Sequence, residues 1–312
     1  MTAFAFVFPG QGSQSVGMLD AWGDHPAAVA TLKEAAAALG EDIGRLIHEG
    51  PKEQLDLTTN TQPVMLTAGI AAWRAWQAEG GAAPVAVAGH SLGEYTALVA
   101  AGVLSLADAL PLVRLRATAM QEAVPVGVGA MAAILGLEAQ AVRDGCKAAA
   151  EASGEVVEAV NFNDPRQTVI AGSKAGVDKA CELLKAAGAK RALLLPVSAP
   201  FHSSLMKPAA LRLQAALEKV ALNEPVIPVV NNIDVATPTD AAAIRDALVR
   251  QAAGPVRWVE VVQALRARGV THVVECGPGK VLAGMAKRID GELVTGSIFD
   301  PASLAEVKGV LQ

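Results

Sequence analysis

Along the chain, short apolar runs alternate with longer stretches of helical spacing. Ala5–Phe8 is an apolar run cut off by Pro9-Gly10, and Pro84–Ala88 is another, followed at once by Gly89-His-Ser-Leu-Gly93. Val64–Gln77, Leu92–Ala101 and Leu106–Glu122 space their apolar residues as helices do, with Gly102 as a C-terminal stop. Buried-type strands separated by helices predict a parallel sheet with crossover connections.

From Met131 the rhythm changes. Met131–Leu137 reads as a strand and Glu138–Ser153 as a helix. Val156–Phe162 and Thr168–Gly172 read as strands about an Asn-Asp-Pro turn. A helix over Ala175–Ala187 and a strand over Ala192–Val197 complete a β-α-β-β-α-β order, the ferredoxin-like split βαβ unit. With Gly127 and Gly129 as a hinge, residues 128–197 read as a small domain inserted into a larger α/β domain formed by 1–127 and 198–312. After Pro200 the first rhythm returns. Helices are expected over Pro208–Ala221, Ala241–Ala252 and Trp258–Arg268, and strands over Val226–Asn231 and His272–Cys276, the last running into Gly-Pro-Gly. A site is expected in the cleft where the two domains meet.

Composition removes several classes of function. The 312 residues are 52% hydrophobic and 18% charged, which excludes a disordered chain. Twenty-six basic against 31 acidic residues give a net charge of −5, so neither nucleic acid nor an anionic membrane is an expected partner. Met1–Phe8 has no basic segment before it and reads as a strand, not a signal peptide. Ala97–Val113, the most apolar long stretch, is interrupted by Asp108 and Pro111 and falls short of a membrane span. Cys146, Cys181 and Cys276 form neither a CxxC nor a Cys/His cluster; they read as free thiols of a cytoplasmic protein, with no metal site.

The sharpest chemical signal is Gly89-His90-Ser91-Leu92-Gly93, a G-x-S-x-G motif between an expected strand and an expected helix. That context raises Ser91 above the sheet as a nucleophile and leaves the Leu92 N–H free for an oxyanion. Five histidines compete for the role of base. His90 adjoins the nucleophile and is expected to point away; His25 and His48 read as solvated, and His272 as structural. His202, at the junction where the chain returns to the larger domain, is the preferred base. No Asp or Glu stands out as a third member. Phe8-Pro-Gly-Gln-Gly-Ser-Gln14 follows the first strand without the spacing of a dinucleotide fingerprint, and by itself reads as a turn.

Phe8–Gln14, Gly89-His-Ser-Leu-Gly-Glu-Tyr95, Asn161-Phe-Asn-Asp-Pro-Arg-Gln167, Ser198-Ala-Pro-Phe-His-Ser203 and Glu275-Cys-Gly-Pro-Gly-Lys280 together resemble the ordered motifs of malonyl-CoA:acyl-carrier-protein transacylases. They also resemble the acyltransferase domains of polyketide and fatty-acid synthases, and the likeness runs over about residues 4–298. The resemblance implies an α/β-hydrolase-like larger domain with a ferredoxin-like insert. It implies Ser91 as nucleophile, His202 as base, and the Gln11 and Leu92 amides as the oxyanion hole. Arg116 matches the arginine that pairs with the malonyl carboxylate. Phe201 matches a bulky residue that goes with malonyl over methylmalonyl. Asn163 is a further expected substrate contact. Gln251 matches the position whose backbone carbonyl orients the histidine, so that replacing its side chain should matter little. Arg114 reads as a surface charge.

The same resemblance implies malonyl-CoA and holo acyl carrier protein as partners, no metal or redox cofactor, a ping-pong cycle and a role in fatty-acid synthesis, with a monomer as the default. Because the carrier is expected to be acidic, Lys190, Arg191, Lys280, Lys287 and Arg288 are candidates for a basic rim. Two other readings stay open on sequence alone. A serine hydrolase on the same elbow would release free acid from simple esters. A non-catalytic carrier-binding module would keep its carrier affinity after Ser91→Ala.

Overall fold

The computed structural model describes residues 2–197 and 199–311. Ser198, which opens the Ser198–Ser203 motif and the expected return to the larger domain, lies outside the described residues.

Among the described residues nine strands form two sheets. β1 (Phe4–Phe8), β2 (Ala86–Gly89), β7 (Val229–Val230), β8 (His272–Cys276) and β9 (Val294–Ile298) make a parallel sheet in the order β7-β2-β1-β8-β9. β1, β2 and β7 are buried throughout, which is why they read as continuous apolar runs with no alternation. Helices cover both faces. Thr58–Ala78 lies in the larger core with Phe4, Phe6 and Phe8, and Trp258–Ala267 and Val281–Ile289 pack on the other side with Ala5, Val7 and Val273. The sheet order reverses at β1, whose neighbours β2 and β8 come from distant parts of the chain. The carboxyl ends of these three strands therefore open onto one crevice, where α/β sheets bind ligands.

The second sheet contains β3 (Gly129–Leu135), β4 (Val157–Asp164), β5 (Gln167–Ser173) and β6 (Arg191–Leu194), antiparallel in the order β4-β5-β3-β6. With its helices Ala139–Ser153 and Lys174–Ala186 it has the expected β-α-β-β-α-β order and its own core around Ile134, Val142 and Leu184. Its outer strand β4 is tied to the rest of the molecule. The Phe162 N–H donates to the Val256 carbonyl at 2.9 Å, and the Val256 N–H to the Val160 carbonyl at 2.8 Å.

Two expectations need correction. The strand expected over Val226–Asn231 shrinks to Val229–Val230. Pro225 and Pro228 lack an N–H to give a ladder, and Val226 stands 80% exposed. The expected strand over Ala192–Val197 ends at Leu194, beyond which Pro196 likewise has no donor.

Candidate active site

The turn after β2 cannot be built with larger residues. A Cβ on Gly89 would lie 1.9 Å from the Gly93 carbonyl group, and one on Gly93 would lie 2.0 Å from the Phe8 carbonyl oxygen. The residue at the apex, Ser91, has φ of 53°, a left-handed conformation that costs a non-glycine residue about 1–2 kcal/mol. Asn232 holds this strained turn from both sides. Its Oδ1 accepts from the Ser91 N–H at 2.7 Å, and its Nδ2 donates to the Gly89 carbonyl at 2.7 Å.

His202 comes from the segment after the small sheet, where its own φ is 66°. Its Nε2 lies 2.7 Å from Ser91 Oγ, and its Nδ1 lies 3.0 Å from the Gln251 carbonyl oxygen. A carbonyl can only accept, so Nδ1 carries the hydrogen and Nε2 is left as the acceptor facing the hydroxyl. Burial, and then the nearby Arg116 charge, push the His202 pKa down to about 3, so the ring is neutral at neutral pH and its Nε2 lone pair is free to face the hydroxyl.

Arg116, from the helix Leu106–Glu122, is 2% exposed. Its Nη1 donates to Gln62 Oε1 at 2.8 Å, and its Nη2 donates to Ser91 Oγ and to Gln251 Oε1, both at 3.1 Å. Its guanidinium carbon lies 5.4 Å from the Tyr95 ring centroid. Among the described residues no carboxylate pairs with it, and its Nε has no acceptor. Burial works against this charge and lowers its pKa. A buried cation that no carboxylate contacts directly, touching a nucleophilic hydroxyl, is a receptor for an anionic group on whatever that hydroxyl attacks.

The loop after β1 closes the site from a third side. A Cβ on Gly10 would stand 2.7 Å from the His90 carbonyl oxygen, so this loop lies directly on the elbow. Among the described residues neither the Gln11 nor the Leu92 N–H has an acceptor within the fold. Both residues, with Ser91, Arg116, Phe201 and His202, line a cavity of about 620 Å³ walled on its other side by Met131 and Asn161 of the small sheet and by Leu195, Pro196 and Val197, which follow β6. Residues from both halves of the fold thus line one cavity.

A family model described as an acyl transferase domain matches residues 5–290. The chain is 55% identical over 306 residues to the malonyl CoA-acyl carrier protein transacylase of Salmonella typhimurium, covering 98% of each. The chain belongs to the malonyl-CoA–acyl-carrier-protein transacylase family. It also matches the crystal structure of an acyl-carrier-protein S-malonyltransferase from Burkholderia pseudomallei, with a TM-score of 0.97 and 67% identity over 99% of this chain and 100% of that one. A malonyl-transacylase in complex with its type II polyketide-synthase acyl-carrier protein matches with a TM-score of 0.97 and 49% identity, covering 99% and 100%. The chain is an acyltransferase with the family's mixed α/β fold.

Several residues depart from expectation within this family frame. Gln251 offers more than a backbone carbonyl. Its buried side chain accepts from Arg116 and donates to the Ser91 carbonyl at 3.0 Å and to Glu94 Oε2 at 3.1 Å. One residue thus holds the histidine, the arginine and the elbow, contrary to the expectation that its side chain matters little. Glu94 is fully enclosed behind the elbow, where burial pushes its pKa up to about 7. Nothing in the sequence separated it from an ordinary helix glutamate. Asn163 does not line the cavity. Its Oδ1 is taken up by His90 Nε2 at 2.8 Å, and Asn161 faces the cavity instead. The register shift between Phe162 and Asp164 interrupts the strand alternation, so the two asparagines do not share a face as residues two apart in a regular strand would.

His90 Nε2 bonds to Asn163 Oδ1 at 2.8 Å, and its ring packs against Trp258. His25 is also less solvated than expected, capping the helix Pro26–Leu39 through the Ala27 N–H. His48 sits exposed beside Asp20, His272 opens β8, and Arg114 pairs with Glu41.

The expected basic rim is only partly free. Arg288 pairs with Asp164 at 2.8 Å, Lys287 donates to the Gly291 and Leu293 carbonyls, and Lys280 lies over the Phe299 ring. Lys190 and Arg191 are exposed. Among the described residues no group of acidic, histidine or cysteine side chains is arranged to hold a metal ion, and no helix is long and apolar enough to cross a membrane.

Proposed function

We propose that this acyltransferase moves a malonyl group from malonyl-CoA to the phosphopantetheine thiol of holo acyl carrier protein through a malonyl-Ser91 ester. The observation that carries the reading is the buried, ion-pair-free Arg116 guanidinium 3.1 Å from Ser91 Oγ. Malonyl differs from acetyl by a carboxylate at the far end of a two-carbon unit, and that carboxylate is what such a guanidinium lacks. The names of the relatives agree with it.

In the first half-reaction Ser91 Oγ attacks the thioester carbonyl while His202 Nε2 takes its proton. The developing oxyanion is met by the Gln11 and Leu92 N–H groups. The carbon–sulfur bond breaks, and His202 returns the proton to the departing CoA thiolate. In the second half, His202 removes the proton of the carrier thiol, the thiolate attacks the malonyl-serine ester, and Ser91 Oγ leaves with that proton. The cycle is ping-pong and uses only the chain's own acid–base groups, so the proposal includes no metal or redox cofactor. Phe201 beside the base would collide with an α-methyl branch, which favours malonyl over methylmalonyl. The proposal assigns the reaction to a cytoplasmic monomer serving fatty-acid synthesis.

Intact-mass spectrometry tests it. Mixed with malonyl-CoA, the protein should gain one malonyl group on Ser91, and holo carrier protein should then remove it. An adduct that forms equally on Ser91→Ala, or that only hydrolyses when carrier is added, would overturn the proposal.

A further inference from the structure

The Glu275–Lys280 motif has no part in the chemistry above, yet it lies against the loop that carries the Gln11 amide. β8 runs beside β1 in the sheet, with Val7 paired to Glu275, so both strands deliver their following turns to the same place. Gly277, at φ of 126°, has Pro9 so close that a Cβ would lie 3.3 Å from both Pro9 Cγ and Cδ. At Gly279, with φ of 93°, a Cβ would lie 3.1 Å from Ser13 Cβ and 3.2 Å from Ser13 Oγ. These separations are tighter than ordinary van der Waals contact.

The turn is itself anchored. Below it the enclosed Glu275 carboxylate accepts from the Ala283 N–H at 2.9 Å, fixing the first turn of the helix Val281–Ile289. On the opposite side of the loop, Gly10 meets the His90 carbonyl and the His90 N–H donates to the Phe8 carbonyl at 3.1 Å. Residues 8–13 are thus clamped between the elbow and the Gly277-Pro278-Gly279 turn: a methyl group at Gly10 would collide with the His90 carbonyl, and one at Gly277 or Gly279 would press on Pro9 or Ser13.

We infer that the Gly277-Pro278-Gly279 turn is a positioning element for the reaction, holding the Pro9–Ser13 loop so that the Gln11 N–H stays aimed at the oxyanion. Neither glycine touches substrate; the turn acts through backbone placement of a donor. The inference rests on the assignment of the Gln11 amide to the oxyanion hole.

The test is Gly279→Ala, alone and with Ser13→Gly, which deletes the two atoms the new methyl would strike. Gly279→Ala should lower the rate of Ser91 acylation by malonyl-CoA about 10- to 100-fold, the range expected for an oxyanion donor displaced but not lost, with KM changed less than threefold. Adding Ser13→Gly should restore most of that rate, although the strained φ at residue 279 is the same in both proteins. A Gly279→Ala protein that acylates normally, or a rate loss that Ser13→Gly leaves in place, would overturn the inference. An amide-to-ester replacement that removes the Gln11 N–H by semisynthesis distinguishes the underlying assignment. If that replacement leaves acylation unchanged, the oxyanion reading of Gln11 fails. If it slows acylation while Gly279→Ala does not, only the role of the turn fails.

Discussion

Gln251→Ala sets the structure against the expectation that only the backbone of Gln251 counts. The substitution keeps the carbonyl that orients His202 Nδ1, so the base keeps its tautomer. It removes four side-chain hydrogen bonds, one from Arg116 and three given to Glu94, the Ser91 carbonyl and, at a long 3.5 Å, Asn232 Oδ1. Hydrogen bonds to charged partners contribute about 1.5–3 kcal/mol each and neutral ones about 1 kcal/mol. Because Nε2 serves three acceptors at once, the bonds do not add, and a net loss of about 3 kcal/mol in unfolding free energy is expected. A looser Arg116 should also lower kcat/KM for malonyl-CoA by about tenfold or more, one decade being about 1.4 kcal/mol. Denaturant unfolding and steady-state transfer to holo carrier protein measure the two effects. Gln251→Met fills the volume without the polar groups, so a loss caused by a cavity alone would be recovered by Met. If Gln251→Ala matches the unsubstituted protein in both assays, the network reasoning is refuted and the side chain is dispensable.

Arg116→Ala should lower kcat/KM for malonyl-CoA by about two to three orders of magnitude, the cost of leaving one member of a buried charge pair alone, while acetyl-CoA should be used no worse than before; competition between the two thioesters reads the ratio directly. Ser91→Gly should abolish acylation yet unfold at higher denaturant than Ser91→Ala, by up to about 1 kcal/mol, because glycine accepts the φ of 53° that alanine must bear; equal stabilities would remove strain from the account. Glu275 has its pKa raised to about 7 by burial, above the ordinary 4.5 of the unfolded chain. The folded state holds the extra proton, so this stabilisation is complete below about pH 4.5 and is lost as pH rises through 7. Glu275→Gln should therefore gain stability relative to the parent between pH 5 and 7.5, and a pH-independent difference in melting temperature would contradict that sign.

The sequence was informative where apolar contrast was strong. The helices Leu106–Glu122 and Ala241–Ala252 and the strand His272–Cys276 match their expected limits because their apolar faces are large and their ends carry stop signals. The helix Pro26–Leu39 leaves little periodic signal because the residues it buries are Ala28, Thr31 and Ala35, small side chains with little contrast to its alanine-rich outer face. β9 is hard to read for a related reason, since Val-Thr-Gly-Ser-Ile neither alternates cleanly nor runs apolar. At the site, the glycines around Ser91 announced a turn with a purpose. The supporting polar groups did not announce themselves. Asn232 and Glu94 are 141 and three residues from Ser91, and no local spacing distinguishes a buried amide or carboxyl from a solvated one.

That contrast has a physical origin in how the site is assembled. Ser91, His202, Arg116 and the Gln11 loop arrive from four separate stretches of chain, and two of them hold left-handed φ values that the local sequence disfavours. Such conformations persist only when the surroundings over-determine them. Asn232 on the Ser91 N–H and the Gln251 carbonyl on His202 are that over-determination, and both come from the stretch between residues 232 and 251, which has no part in the bond-making steps. The motif thus marks where the chemistry happens, while the geometry that makes the chemistry possible is supplied by residues whose importance exists only in three dimensions.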